Sequence, residues 1–218
     1  MPGSIRCLVY GDLMPVVPRW ALLTSGCAPV LLIAGWLIAG RLEGPAYDPV
    51  SQTISVLAAY GAAGFWVMTG ALFALGVCHL LTAWGLRAAA TAGRVALGGG
   101  GVAALMVALL PTPSSGGSLR HGSIAAIGFA LLAMWPVLAA HRGRSAPWAL
   151  RPLPSLWATA LMTAGAIWFL VEAHQQGAMG IAERFVTFAQ SVWPFVVVAS
   201  CLRHPRRTEC PSPAGTET

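Results

Sequence analysis

The chain has 218 residues, 56% of them hydrophobic and only 9% charged, and its mean hydropathy is +0.70. A soluble domain carries roughly 25% charged residues, so this composition cannot cover a water-exposed surface and excludes an ordinary soluble protein. The formal net charge is +6 and all 13 basic residues are Arg; they sit in short segments between apolar runs, which argues for a membrane topology signal and against nucleic-acid binding.

Residues 1–20 form a short tail with Arg6 and Arg19. Asp12 and three prolines interrupt it, so no cleavable signal peptide is expected. Six apolar runs follow, at about 21–40, 64–86, 95–110, 122–140, 154–171 and 185–202. Twenty residues at about 1.5 Å each match a hydrocarbon core of about 30 Å. The runs are apolar all round rather than alternating, so they predict helices and not barrel strands. The expected fold is therefore all-α, a polytopic bundle of six transmembrane helices. Its domains are a tail at 1–20, a membrane domain at 21–202 and a disordered tail at 203–218. The cluster Pro111-Thr112-Pro113-Ser114-Ser115-Gly116-Gly117 is a loop signal. The run Gly98-Gly99-Gly100-Gly101 permits close helix packing.

Arg placement sets an expected orientation. The two tails and the second and fourth loops hold Arg6, Arg19, Arg87, Arg94, Arg142, Arg144, Arg151, Arg203, Arg206 and Arg207. The first, third and fifth loops hold only Arg41, Arg120 and Arg184. This bias puts both termini in the cytoplasm, the odd loops outside, and the protein in the cytoplasmic membrane. Cys27, Cys78 and Cys201 fall in spans, and Cys7 and Cys210 in the tails. None has metal-ligand spacing, and neither a metal, a disulfide nor a cofactor is implied.

The first loop carries the densest polar stretch, Tyr47-Asp48-Pro49-Val50-Ser51-Gln52-Thr53-Ile54-Ser55. Asp48 suits a helix N-cap and Pro49 the first helical position. Val50, Ile54, Leu57 and Ala58 then share one face, and Ser51 and Ser55 another. A short interfacial helix follows, its polar side toward the bundle. The third loop adds Arg120 and His121; the fifth adds Glu172, His174, Glu183 and Arg184. All lie on the outer side in this topology. Ionisable groups facing a membrane bundle are costly and mark function. Each also has a structural explanation, as a cap, a local pair or a snorkelling side chain.

The opening stretch resembles the signature of a family of bacterial and archaeal membrane proteins catalogued as domain of unknown function 998. Arg120-His121-Gly122 and Gly180-Ile181-Ala182-Glu183-Arg184 resemble its later motifs. The resemblance spans roughly 20–202 and implies six membrane helices. Within Ile54-Ser55-Val56-Leu57 the chain lacks the family's more usual acidic residue after the second Ser.

Two functions compete at this point. One is an enzyme acting on a lipid or isoprenoid at the outer leaflet. Asp48 or Glu183 would be acid or base, His121 would move a proton, and Arg120 or Arg184 would hold an anionic headgroup, with Ser55, Glu172 and His174 lining the substrate site. A hydrolytic version makes Ser51 the nucleophile and His121 its base. A cyclising version has a protonated carboxyl in an apolar pocket. The other function is a transporter, lipid-binding protein or assembly partner in which the same groups pair helices or line a path. Partners in either case are membrane lipids or a lipophilic small molecule.

Overall fold

The computed structural model describes residues 17–113, 118–143 and 146–204. Most of the expected N-terminal tail, the C-terminal tail beyond His204, the centre of the Pro/Ser/Gly loop, Arg144, Cys7 and Cys210 lie outside those residues. Within them the chain is all helix and turn. The helices are α1 (Trp20–Glu43), α2 (Ile54–Leu57), α3 (Phe65–Gly85), α4 (Thr91–Leu109), α5 (Leu119–Leu138), α6 (Pro152–Gln175) and α7 (Met179–Arg203). Short 3-10 turns stand at Gly44–Ala46 and Trp148–Leu150.

All the long helices, α1 and α3 to α7, are long and apolar enough to cross a membrane. The protein is an integral membrane protein with six spans. Three of them reach beyond the apolar runs by a turn or more. α4 starts at Thr91, α6 continues to Gln175, and α7 starts at Met179 rather than near 185. Backbone hydrogen bonding carries a helix past its last lipid-soluble residue, because the alternative is a bare carbonyl or N–H near the bilayer. As a result Glu172 and His174 lie on the last turns of α6, and Glu183 and Arg184 lie on α7, not in a loop.

Each span packs on the next in sequence, and α7 closes the ring against α1. The helices alternate in direction, so the loops divide between two ends. At one end Tyr60 N–H donates to the Thr112 carbonyl (3.1 Å), joining the first loop to the third. Gly180 N–H donates to the Val50 carbonyl (2.9 Å), joining the first loop to the start of α7. At the other end, which also carries the described termini, Ala90 N–H reaches the Ala139 carbonyl (3.3 Å). Ala149 N–H reaches the Ser200 hydroxyl there (3.2 Å). We call the first the loop end and the second the termini end.

Buried side chains form two clusters. One surrounds Trp135, Leu86, Leu97 and Val197 at the termini end. The other joins Leu32, Met68 and Leu75 to Ile54 and Leu57 of α2 at the loop end. α2 thus sits over the mouth of the ring, against α1, α3 and α7. The glycines of α3 and α4 bring these helices close: a Cβ at Gly76 would stand 2.7 Å from the Gly101 carbonyl oxygen. Small residues allow such backbone approach where lipid supplies no hydrophobic drive between helices.

Gly76→Ala therefore forces α3 and α4 apart and is expected to destabilise the protein by about 1–3 kcal/mol. Gly70, on the same helix, has nothing within 4 Å of a built Cβ. Gly70→Ala should leave stability level or slightly higher, given the better helix propensity of Ala. Thermal unfolding of both variants in detergent checks the contrast; equal midpoints would contradict it.

Candidate functional site

At the loop end the polar residues are built around α2. Its first N–H, that of Ile54, donates to Glu183 Oε2 on α7. In return α7 begins under the first loop. Gly180 and Ile181 N–H both reach the Val50 carbonyl, at 2.9 and 3.3 Å. A helix starts with N–H groups that have no partner within it, and here each helix supplies the partner for the other. Gly180 is required by the closeness: a Cβ there would collide with the carbonyl oxygens of Gln52, Pro49 and Val50.

Arg184 completes the clasp. Its Nη1 donates to the carbonyls of Pro49 (2.9 Å), Gln52 (3.1 Å) and Gly180 (2.7 Å). Its Nη2 donates to the Tyr47 hydroxyl. The guanidinium also lies over the rings of Trp36 and Tyr47, at 5.9 and 5.8 Å from their centroids. Burial pushes the Tyr47 phenol above its usual pKa, against the opposing pull of Arg184. The phenol therefore stays neutral and its O–H points toward the carbonyls of Gln52 and Thr53 (3.4 and 3.3 Å).

The third element is α5. Ser118 caps it, accepting from His121 N–H at 3.3 Å. His121 is buried. Its Nδ1 lies 2.9 Å from the Leu110 carbonyl and its Nε2 lies 3.2 Å from Ser55 Oγ. A carbonyl can only accept, so Nδ1 carries the proton, and in the neutral imidazole Nε2 is an acceptor facing the Ser55 hydroxyl. Ser55 also stands beside the Glu183 carboxylate. Below it, inside the ring, is a cavity of about 90 Å³. Ser55 and Glu183 form part of its roof, and His79 and Gln190 line it deeper down. Its walls are mostly apolar, among them Leu72, Val107 and Phe129.

The other expected site residues are placed differently. Asp48 does not cap a helix beginning at Pro49. It closes a tight turn, accepting from Ser51 Oγ (2.5 Å), Val50 N–H (3.0 Å) and Ser51 N–H (3.2 Å). The helix starts only at Ile54. Val50 is consequently exposed while Ile54, Leu57 and Ala58 are buried, so the expected four-residue face is reduced to three. The Ser51 hydroxyl, and then the Val50 N–H, hold the exposed Asp48 carboxyl below its usual pKa. This turn is at full strength above the ordinary carboxylate range and weakens as pH falls through the lowered value. Ser51 bonds Asp48 rather than His121; the hydroxyl beside His121 belongs to Ser55. Glu172 accepts from Trp168 Nε1 (3.1 Å) and Ala178 N–H (2.7 Å), fastening the turn into α7. Arg120 and His174 are exposed and stand outside the cluster.

The family described as "Protein of unknown function (DUF998)" matches residues 27–200. The chain belongs to this family. Neither a curated protein nor a solved structure matches it.

The stretches resembling DUF998 motifs are thus three sides of one structure: the 47–55 stretch, His121 of α5, and Gly180, Glu183 and Arg184 of α7. The sequence also held an unread signal on α7. Glu183, Thr187, Gln190 and Ser191 recur at helical spacing, and all four line the cavity. Four polar residues on one face of an otherwise apolar span mark the side turned from lipid. His79 of α3 belongs to the same cavity, and its position beside Cys78 in the sequence gives no hint of that.

Arg184→Lys keeps the charge but loses the planar fork that serves several acceptors at once. It should destabilise the protein by about 1–3 kcal/mol, the range for leaving buried groups unpaired. Gly180→Ala should do the same by pushing the loop off α7. Both should increase chymotrypsin cleavage near Tyr47 and Tyr60. A variant that unfolds at the parental temperature and resists the protease equally would contradict the clasp.

Proposed function

We propose that this DUF998 protein is a membrane enzyme that cleaves or transfers an acyl group of a lipid or isoprenoid ester, with Ser55 as nucleophile and His121 as base. One observation carries the reading: an imidazole Nε2 within hydrogen-bond distance, 3.2 Å, of a serine hydroxyl, above a mostly apolar cavity lined by that serine. The Leu110 carbonyl fixes the productive tautomer, the role that a carboxylate takes in other serine–histidine sites.

The steps balance as follows. Ser55 Oγ attacks the ester carbonyl carbon while His121 Nε2 takes the hydroxyl proton. The C–O bond to the alcohol breaks, and the alcohol leaves with that proton. Water then attacks the acyl-serine with His121 again as base, releasing the acid and restoring Ser55. Glu183 is a positioning residue, because its carboxylate holds the first N–H of α2 and so the orientation of Ser55. Asp48 and Ser51 shape the loop that carries α2.

The Arg bias supports an arrangement with the loop end on the outer face of the cytoplasmic membrane and both termini in the cytoplasm. The ester would then be drawn from the outer leaflet. A second reading is a lipid-binding or transport protein without turnover. The polar face of α7 favours it, since such faces also line substrate paths.

A fluorophosphonate probe separates the two. In the enzyme, the probe labels Ser55 of the detergent-solubilised protein, and peptide mapping identifies the site. Ser55→Ala abolishes labelling and His121→Gln slows it by about 100-fold or more, the usual contribution of a general base. Ser51→Ala labels normally. Absence of labelling in the folded parent, with a lowered unfolding temperature in Ser55→Ala, would favour the second reading.

A further inference from the structure

The cavity inside the ring is polar at two depths. On α3 its lining runs from Leu72 down to His79, and on α7 from Glu183 down to Gln190. Each run covers about 10 Å along its helix, at about 1.5 Å per residue. Ser55 and Glu183 therefore stand at one depth, and His79 and Gln190 about 10 Å further in. The hydroxyls on the lining are engaged. Ser55 Oγ pairs with His121, Thr187 Oγ1 donates to the Glu183 carbonyl at 2.7 Å, and Ser191 Oγ donates to the Phe188 carbonyl at 2.9 Å. The deeper depth is left with acceptors. His79 is 3% exposed; it gives Nδ1–H to the Leu75 carbonyl at 2.8 Å, and its Nε2 has no partner among the described residues. The Gln190 backbone carbonyl faces that ring and lacks its helical partner, because Pro194 has no N–H. The Gln190 side-chain amide gives one N–H to the Phe129 carbonyl at 3.0 Å and carries a second.

These groups select a ligand by its polar end. Two acceptors in an apolar surround need an O–H or N–H, so a carboxylate or a bare hydrocarbon end would leave them unpaired. A charged amine needs a carboxylate beside it. Glu183, the one carboxylate on the described lining, is about 10 Å away and is held by the Ile54 N–H. A neutral hydroxyl meets the remaining demands: its proton pairs with His79 Nε2 or the Gln190 carbonyl, and its oxygen is an acceptor for the second amide N–H of Gln190. We propose that the deeper end of the cavity binds the hydroxyl group of a neutral lipid alcohol, an alkyl or prenyl alcohol whose chain lies against apolar walls such as Leu72, Val107 and Phe129. A hydroxyl held there is out of reach of Ser55. It marks a second site, which stands whether or not Ser55 is a nucleophile.

The test uses the full-length protein in detergent and a long-chain alcohol carrying a mid-chain diazirine. After photolysis, peptide mapping should place the cross-links on lining residues of α3 and α7. Decanol should block cross-linking at a concentration at least about tenfold below that of decyl methyl ether, which keeps the chain and the oxygen but has no O–H; that factor lies within the cost of leaving one buried acceptor unpaired. In His79→Leu the two competitors should be equally effective. Thermal unfolding shows whether this variant is folded, and if it is not, the cross-link map and the competition in the parent decide. Cross-links confined to outward-facing side chains such as Leu161 and Ile167, both more than half exposed, would overturn the site. So would equal competition by the ether in the parent, or an undiminished preference for decanol in folded His79→Leu.

Discussion

A helix that begins at the edge of a bilayer brings N–H groups that neither its own backbone nor bulk water satisfies, and their satisfaction organises the loop end of this protein. Four helices start there: α2, α3, α5 and α7. Glu183 accepts from the first N–H of α2. Glu43 accepts from Gly64 N–H, at the entry to α3, at 2.9 Å. Glu172 accepts from Ala178 N–H, at the entry to α7. Ser118 serves α5, and the Val50 carbonyl serves α7 again. The negative charges also lie at the positive ends of helix dipoles. At the termini end the pattern reverses. Arg94 donates to the carbonyls of Ala83 and Trp84, the last turn of α3, at 2.9 and 3.3 Å. Charge segregation along the bundle is therefore a local hydrogen-bonding arrangement as well as a topology signal.

This constraint decides which residues remain available for chemistry. A carboxylate that caps a helix entry cannot move freely to a substrate, and a guanidinium spread over three carbonyls and a phenol has no spare fork for a headgroup. Glu172, Glu183 and Arg184 are each committed in this way. Ser55 and His121 are not. Their mutual bond leaves the hydroxyl at the cavity and the imidazole lone pair on the hydroxyl, while the backbone carbonyl of Leu110 holds the ring. The clasp and the Ser55–His121 pair are coupled through α2, because the Glu183 bond to Ile54 is one residue away from Ser55.

The architecture was legible because hydrophobic length is a strong signal: a bilayer admits only fully bonded helices, and each span announced itself by a long uncharged run. The span ends were less legible, as at Met179, since helices continue into the polar interface on hydrogen bonds that hydropathy does not register. In the site, the sequence showed that Asp48, His121 and Glu183 would gather at one end, and the structure has all three at that end. It did not show which serine would meet the histidine. Ser51 and Ser55 are one helical turn apart on paper, but the Asp48 turn delays α2 to Ile54 and rotates Ser51 outward. Asp48 and Pro49 are as good an entry to a turn as to a helix, so local chemistry alone does not choose. Arg184 was equally opaque. Two of its partners are the carbonyls of Pro49 and Gln52, more than a hundred residues earlier, and backbone acceptors leave no trace in side-chain pattern.

The floor of the cavity shows how the bundle keeps polar atoms inside an apolar ring without collapsing on them. Pro194 lies four residues after Gln190 on α7 and has no N–H, so the Gln190 backbone carbonyl lacks its helical partner. That carbonyl faces His79, whose Nδ1 is already engaged with Leu75 and whose Nε2 is open. In the neutral Nδ1–H tautomer the ring has no proton for that carbonyl, whereas a proton on Nε2 would be donated to it. Apolar side chains packed onto the neutral ring nitrogen and the carbonyl would leave both unpaired, at about 1–3 kcal/mol each, whereas a small space keeps them within reach of a donor. The capped start of α2 and the polar atoms of His79 and Gln190 thus border one and the same cavity.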